Sequence, residues 1–109
     1  MTAHILLVED ETNMAKMQAK ILQRKGYEVD TAGNGREALG KLDRSNFDVV
    51  ITDLKMPVMD GMQLLREMNI KERGCAVIVL TGHGTIESAV EAMQCGATDY
   101  LTKPCNPDE

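Results

Sequence analysis

The chain alternates short runs of consecutive apolar residues with longer stretches in which apolar residues recur every third or fourth position. The runs are His4-Ile-Leu-Leu-Val8, Val49-Val-Ile51 and Ala76-Val-Ile-Val-Leu80. Rich in β-branched residues and bounded by polar ones, they read as strands buried on both faces, as in the interior of parallel sheets. Tyr27 to Ala32 alternates apolar with polar and predicts a strand with one covered face. Residues 98–102 predict a short last strand.

Between the strands the period changes to that of a helix. From Thr12 to Lys25, Met14, Met17 and Ile21 with Ala15, Ala19 and Leu22 form one stripe, and Gly26 follows as a C′ residue. Asn34-Gly35 opens a second helix with Ala38, Leu39 and Leu42 inward, and Gly61 to Arg73 predicts a third with Leu64, Leu65 and Met68 on one side. Thr85 caps a fourth, whose Ile86, Ala89, Val90 and Met93 fit the i, i+3, i+4, i+7 spacing and which ends at Gly96. Ser88 stands where a capping box wants glutamate or glutamine, so this cap is expected to rest on Thr85 alone. Asn106-Pro107-Asp108-Glu109 has the chemistry of a helix start: N-cap, N1 proline, first-turn acids. The expectation is one domain over residues 1–109, ending at the start of a truncated fifth helix.

Strands alternating with helices through short loops predict an α/β fold with a doubly wound parallel sheet. At 109 residues, 43% hydrophobic and 27% charged, the composition is that of a single soluble globular domain. No eighteen-residue apolar run and no secretory leader appear, so no membrane partner is expected. A net charge of −5 argues against direct nucleic-acid binding. Three cysteines without a Cys-x-x-Cys pair suit a reducing, cytoplasmic setting.

Chemistry collects at the carboxyl ends of the strands. The first strand ends in Glu9 and Asp10, the third in Asp53, the fourth in Thr81-Gly82 and the fifth in Lys103. In a doubly wound sheet the first and third strands are neighbours at the switch point, where ligands bind. Three carboxylates there repel unless a cation sits among them, and carboxylates plus waters suit Mg²⁺. Such a site is set up for a phosphoryl group. The metal and Lys103 would neutralise its oxygens, Thr81 would donate a hydrogen bond, Gly82 would leave room for an oxygen, and Asp53 would attack phosphorus.

Other phosphate and hydrolase chemistries fit less well. A nucleotide-binding α/β domain puts Gly, Ser or Thr after its first strand, whereas this loop is acidic. No Gly-x-Ser-x-Gly elbow exists, and His4 and His83 are not at metal-ligand spacing.

Leu7-Val-Glu9-Asp10-Glu11, Asp53-x-x-Met56-Pro57-x-Met59-Asp60-Gly61, Thr81-Gly82 and Lys103-Pro104, in this order, resemble the receiver domain of bacterial two-component response regulators. The resemblance covers the whole chain. It implies a five-stranded sheet in the order 2-1-3-4-5 and a phosphoacceptor role for Asp53, supplied by a sensor histidine kinase. It further implies that Asp10, Asp53 and the backbone carbonyl of Lys55 ligate Mg²⁺ (or Mn²⁺), with Glu9 acting through water. Thr81 and Tyr100 would be the switch pair and Lys103 would hold a phosphoryl oxygen. Phosphorylation would then reshape the face of the fourth helix and fifth strand, biasing dimerisation or contact with an output domain. The family usually has Asp-Asp after the first strand, so Glu9 departs from the pattern. Lys55 and His83 occupy variable positions that would tune the lifetime of the aspartyl phosphate. A signalling module is implied rather than an enzyme, catalysing only its own phosphorylation and dephosphorylation.

The stretch from Thr81 to Pro104 is similar to receivers of NtrC-type activators, which drive sigma-54 RNA polymerase through an AAA+ ATPase and a helix-turn-helix. A stand-alone receiver is the nearest alternative. A Mg²⁺-dependent phosphotransferase or phosphatase with an aspartyl intermediate is another. The haloacid-dehalogenase type needs Asp-x-Asp after the first strand and a cap domain, and this chain has neither.

Overall fold

The five apolar or alternating segments pair, all in parallel, into one sheet of order β2-β1-β3-β4-β5. The structure, a computed structural model, describes residues 2–54, 59–68, 74–82 and 85–102. The strands are β1 His4–Val8, β2 Glu28–Ala32, β3 Val49–Thr52, β4 Ala76–Thr81 and β5 Asp99–Thr102. The helices are α1 Thr12–Arg24, α2 Gly35–Arg44, α3 Gly61–Met68 and α4 Ile86–Gln94. Sheet order and alternation agree with the sequence reading. The expected helix start at Asn106 lies outside the described residues.

On one sheet face Leu6, Val8, Val50, Val77 and Val79 meet Leu64, Leu65 and Met68 of α3 and Ala38 and Leu42 of α2. These side chains are almost fully buried, and each Val, Leu or Met among them contributes about 1.5–3 kcal/mol by leaving water. The other face is less covered, which corrects the expectation that β3 is buried on both sides. Val50 is buried, but Val49 and Ile51 are only half-buried. Ile51, Leu7 and Leu80 open onto an apolar groove of about 160 Å³ completed by Ile21 and Leu22 of α1. The α1 stripe is likewise narrower than its pattern implies. Ala15 and Ala19 are buried while Met17 and Ile21 stay exposed.

Helix α4 packs through small residues. Its stripe of Ile86, Val90 and Met93 faces outward, at 85%, 51% and 48% exposure. The core side is taken by small residues: Ala92 is buried, and Cys95 packs against the core just past the helix. Helical spacing identifies an apolar face but not what covers it, and alanine lets a helix lie close to the sheet. Replacing Ile86 by Glu should therefore change unfolding stability by less than about 0.5 kcal/mol, with the first-turn acid favouring the helix dipole. Urea unfolding checks this, and a loss above about 1 kcal/mol would mean that Ile86 is packed.

Candidate active site at the carboxyl edge of the sheet

Register brings the edge together. Val8 pairs with Thr52 across β1 and β3, so Glu9 and Asp53 stand one step beyond the same rung. The Asp53 N–H donates to the Val8 carbonyl at 3.4 Å and the Glu9 N–H to the Ala32 carbonyl at 2.9 Å. Thr52 pairs with Val79 on β4, which carries Thr81 two residues on, opposite Thr102 of β5.

Among the described residues, the buried polar or charged side chains are Glu9, Thr52, Asp53 and Thr81, and all four lie on this edge. Glu9 is 7% exposed and Asp53 8%. Carboxylates are seldom so buried, since desolvation disfavours their charge unless partners or a cation offset it. No buried side-chain oxygen or nitrogen among the described residues lacks a hydrogen-bond partner. The concentration of buried polarity at one end of an otherwise aliphatic sheet marks the site.

Local chemistry explains the loops. The three acids after β1 divide their work: Glu11 caps α1, accepting from the N–H groups of Asn13 and Met14 at 3.0 and 2.8 Å. Glu9 and Asp10 are thereby left to the edge. Asp10 is exposed and lines, with Glu9, Thr12, Lys16 and Thr31, an open cleft of about 200 Å³. After β3, Asp60 caps α3 by accepting from the Gln63 N–H at 2.8 Å. The Gly61 N–H donates back to the Leu54 carbonyl at 2.8 Å, holding the helix start against the chain that follows Asp53. Gly35 donates to the Met59 carbonyl at 3.0 Å and so ties the neighbouring loop to the same turn.

Of the residues expected at the site, Glu9, Asp53 and Thr81 converge on the edge as anticipated. Asp10 and Gly82 lie beside it on the surface. Tyr100, on β5 next to Val79, is half-buried against the core. Lys55, His83 and Lys103 lie outside the described residues. Two contributors were not anticipated. Ser88 bonds the Tyr100 hydroxyl at 2.7 Å, and Arg66 of α3 donates to Glu91 of α4 at 3.1 Å. The Glu91 carboxylate raises the Arg66 guanidinium above its ordinary range, mainly through that hydrogen bond and then through charge.

The donor set suits a hard cation: carboxylate oxygens of Glu9, Asp10 and Asp53 on neighbouring strand ends. Among the described residues no three His, Cys, Asp or Glu side chains are grouped so that they could hold a metal ion together. Mg²⁺ does not require three, because it retains several waters and binds through one or two carboxylates. No helix among the described residues is long and apolar enough to cross a membrane.

The parallel 2-1-3-4-5 order is that of the flavodoxin-like doubly wound domains, and here the central strand ends in a buried acid. The model of the response regulator receiver domain matches residues 5–109, and the chain belongs to that family. It is 46% identical over 106 residues to the transcriptional regulatory protein GlrR of Escherichia coli (strain K12), covering 97% of this chain and 24% of that protein. The chain thus spans about a quarter of the length of such curated regulators. Among solved structures, the chemotaxis protein CheY4 of Vibrio cholerae superposes with a TM-score of 0.91 at 37% identity, covering 99% of this chain and 92% of that one. A response regulator of Burkholderia pseudomallei, with a phosphorylated aspartic acid, calcium ion and citrate, gives 0.90 at 32% identity, covering 97% and 62%. Receiver domains as a family bind a divalent cation at the phosphorylation site.

Proposed function

We propose that Asp53 accepts a phosphoryl group from the phosphohistidine of a sensor kinase. An Asp53 carboxylate oxygen attacks phosphorus, the phosphorus–nitrogen bond breaks, and the histidine nitrogen leaves with the electron pair. The observation that carries this reading is the burial of Asp53 beside Glu9 and Thr81 on one strand edge. Glu9, Asp10, Asp53 and the Lys55 carbonyl would hold Mg²⁺ (or Mn²⁺), which when bound neutralises charge on the phosphoryl oxygens. Thr81 donates a hydrogen bond to those oxygens, Gly82 gives them backbone room, and Lys103 supplies a positive charge. Lys55 and His83 would tune how quickly water reaches the aspartyl phosphate.

Phosphorylation adds charge and acceptor oxygens at Asp53. Thr81 is drawn toward them, Tyr100 turns into the space it leaves, and the face of α4 and β5 changes. By analogy with the transcriptional regulators it resembles, the domain passes this change to an AAA+ ATPase and helix-turn-helix of a sigma-54 activator, in the cytoplasm, by dimerisation or direct contact. Incubation with acetyl phosphate and Mg²⁺ should add one phosphoryl group by intact mass. Sustained hydrolysis of an unrelated phosphate ester would instead favour a phosphatase.

A further inference from the structure

The Ser88 hydroxyl is a junction of three hydrogen bonds. It accepts from the Thr85 N–H at 2.9 Å, lies 3.0 Å from the Thr85 carbonyl, and lies 2.7 Å from the Tyr100 hydroxyl. A serine hydroxyl offers one hydrogen and two lone pairs. The Thr85 carbonyl can only accept, so the serine hydrogen goes there, and Tyr100 must be the donor in the third bond. Every valence of Ser88 Oγ is then used. In return the Ser88 N–H donates to Thr85 Oγ1 at 3.0 Å, completing a reciprocal capping box with serine in place of the usual glutamate or glutamine. This corrects the expectation that Thr85 capped the helix alone. It also shows that one side chain serves both the helix cap and the tyrosine.

The two ends of α4 are held differently. The far end is anchored by buried Ala92, by the Ala97 N–H donating to the Ala92 carbonyl at 3.1 Å, and by the Arg66–Glu91 pair from α3. In the first turn Thr85, Ile86 and Glu87 are all exposed, so packing contributes little and the hydrogen bonds of the cap carry that turn. Segments of this kind open at the low end of local stability.

We propose that Ser88 is the positioning residue through which Tyr100 holds the first turn of α4. The bond cannot lengthen much beyond 3 Å and survive, so a turn of the Tyr100 ring removes the donor that fixes the Ser88 rotamer and loosens the cap. The exposed stripe then moves from its Ile86 end while Met93 stays anchored. The inference deepens the reading of Tyr100 as one half of a switch with Thr81, and it rests on that reading.

Amide hydrogen exchange in the full chain tests it. Tyr100→Phe keeps the ring and removes the donor. It should speed exchange of the Ser88 and Ala89 amides about fivefold, the weight of one net hydrogen bond, and leave the Cys95 amide unchanged. Ser88→Ala should do the same, Ser88→Thr should retain protection, and Tyr100→Phe added to Ser88→Ala should have no further effect. Unchanged exchange in Tyr100→Phe, equal acceleration along all of α4, or an effect that persists in the Ser88→Ala background would overturn the proposal. With acetyl phosphate and Mg²⁺, a chain shown by intact mass to carry one phosphoryl group should show the same local acceleration. An adduct without it also overturns the link to switching. Absence of any adduct counts against Asp53 as phosphoacceptor, and the paired substitutions still decide the Ser88 bond.

Discussion

Replacing Asp53 by Asn should abolish phosphoryl uptake altogether while leaving the domain folded. The amide matches the carboxylate in shape but is a far poorer nucleophile, so the reaction loses its attacking atom rather than a fraction of its rate. The fold should survive because Asp53 lies past the end of β3, and its backbone bond to Val8 does not depend on the side chain. Removing one of two neighbouring buried acids also relieves like-charge repulsion. Intact mass after acetyl phosphate treatment, with far-ultraviolet circular dichroism as the folding control, reads both halves. Full adduct formation in Asp53→Asn would place the chemistry on another residue.

Gly61→Ala should be the most damaging single-methyl change in the described part of the chain. A β-carbon there would lie 1.9 Å from the Asp53 carbonyl oxygen, 2.8 Å from its carbonyl carbon and 2.9 Å from Leu54 Cα. These are backbone atoms and cannot rotate aside, so α3 and the end of β3 must separate. The cost should reach or exceed about 3 kcal/mol, the upper range for overpacking, which lowers the melting temperature by roughly 12–20 °C for a domain of this size. Gly26→Ala supplies the comparison. Its φ of 96° is strained for alanine, yet nothing lies within 4 Å of the added carbon, so only about 1–2 kcal/mol is expected. Thermal unfolding of both variants decides the matter, and equal losses would mean that the β3–α3 junction is not close-packed. Because Gly61 abuts the Asp53 backbone, the folded fraction of Gly61→Ala should also take up phosphate more slowly.

The sheet was legible in the sequence because buried parallel strands leave apolar runs that few other elements produce, as in Ile5–Val8 and Ala76–Leu80. The site was legible for a related reason. An acid, threonine or lysine immediately after such a run must lie on one edge of the sheet, so Glu9, Asp53 and Thr81 could be grouped before any distance was known. What escaped depends on surroundings rather than on spacing. The apolar stripe of α4 could be counted, but whether the sheet or solvent met it depended on the small residues Ala92 and Cys95 beside the core. The half-covered face of β3 depended on what lies across from Ile51. The Ser88 cap escaped because the usual capping pattern requires a long acceptor. Here the short hydroxyl suffices, since it bonds the Thr85 backbone directly, and Tyr100 from β5 uses its second lone pair. The division of labour among Glu9, Asp10 and Glu11 was similarly hidden. Any of the three acids can cap a helix, and only the backbone path selects Glu11.

Entry of a phosphoryl group at the buried acid ending β3 is tested by treating the chain with acetyl phosphate, with Mg²⁺ and with Mg²⁺ chelated, and mapping the modified residue by peptide mass spectrometry. One phosphoryl group is expected, located on Asp53 and lost when the cation is removed. A group located on any other residue, or no group at all with Mg²⁺ present, would contradict it.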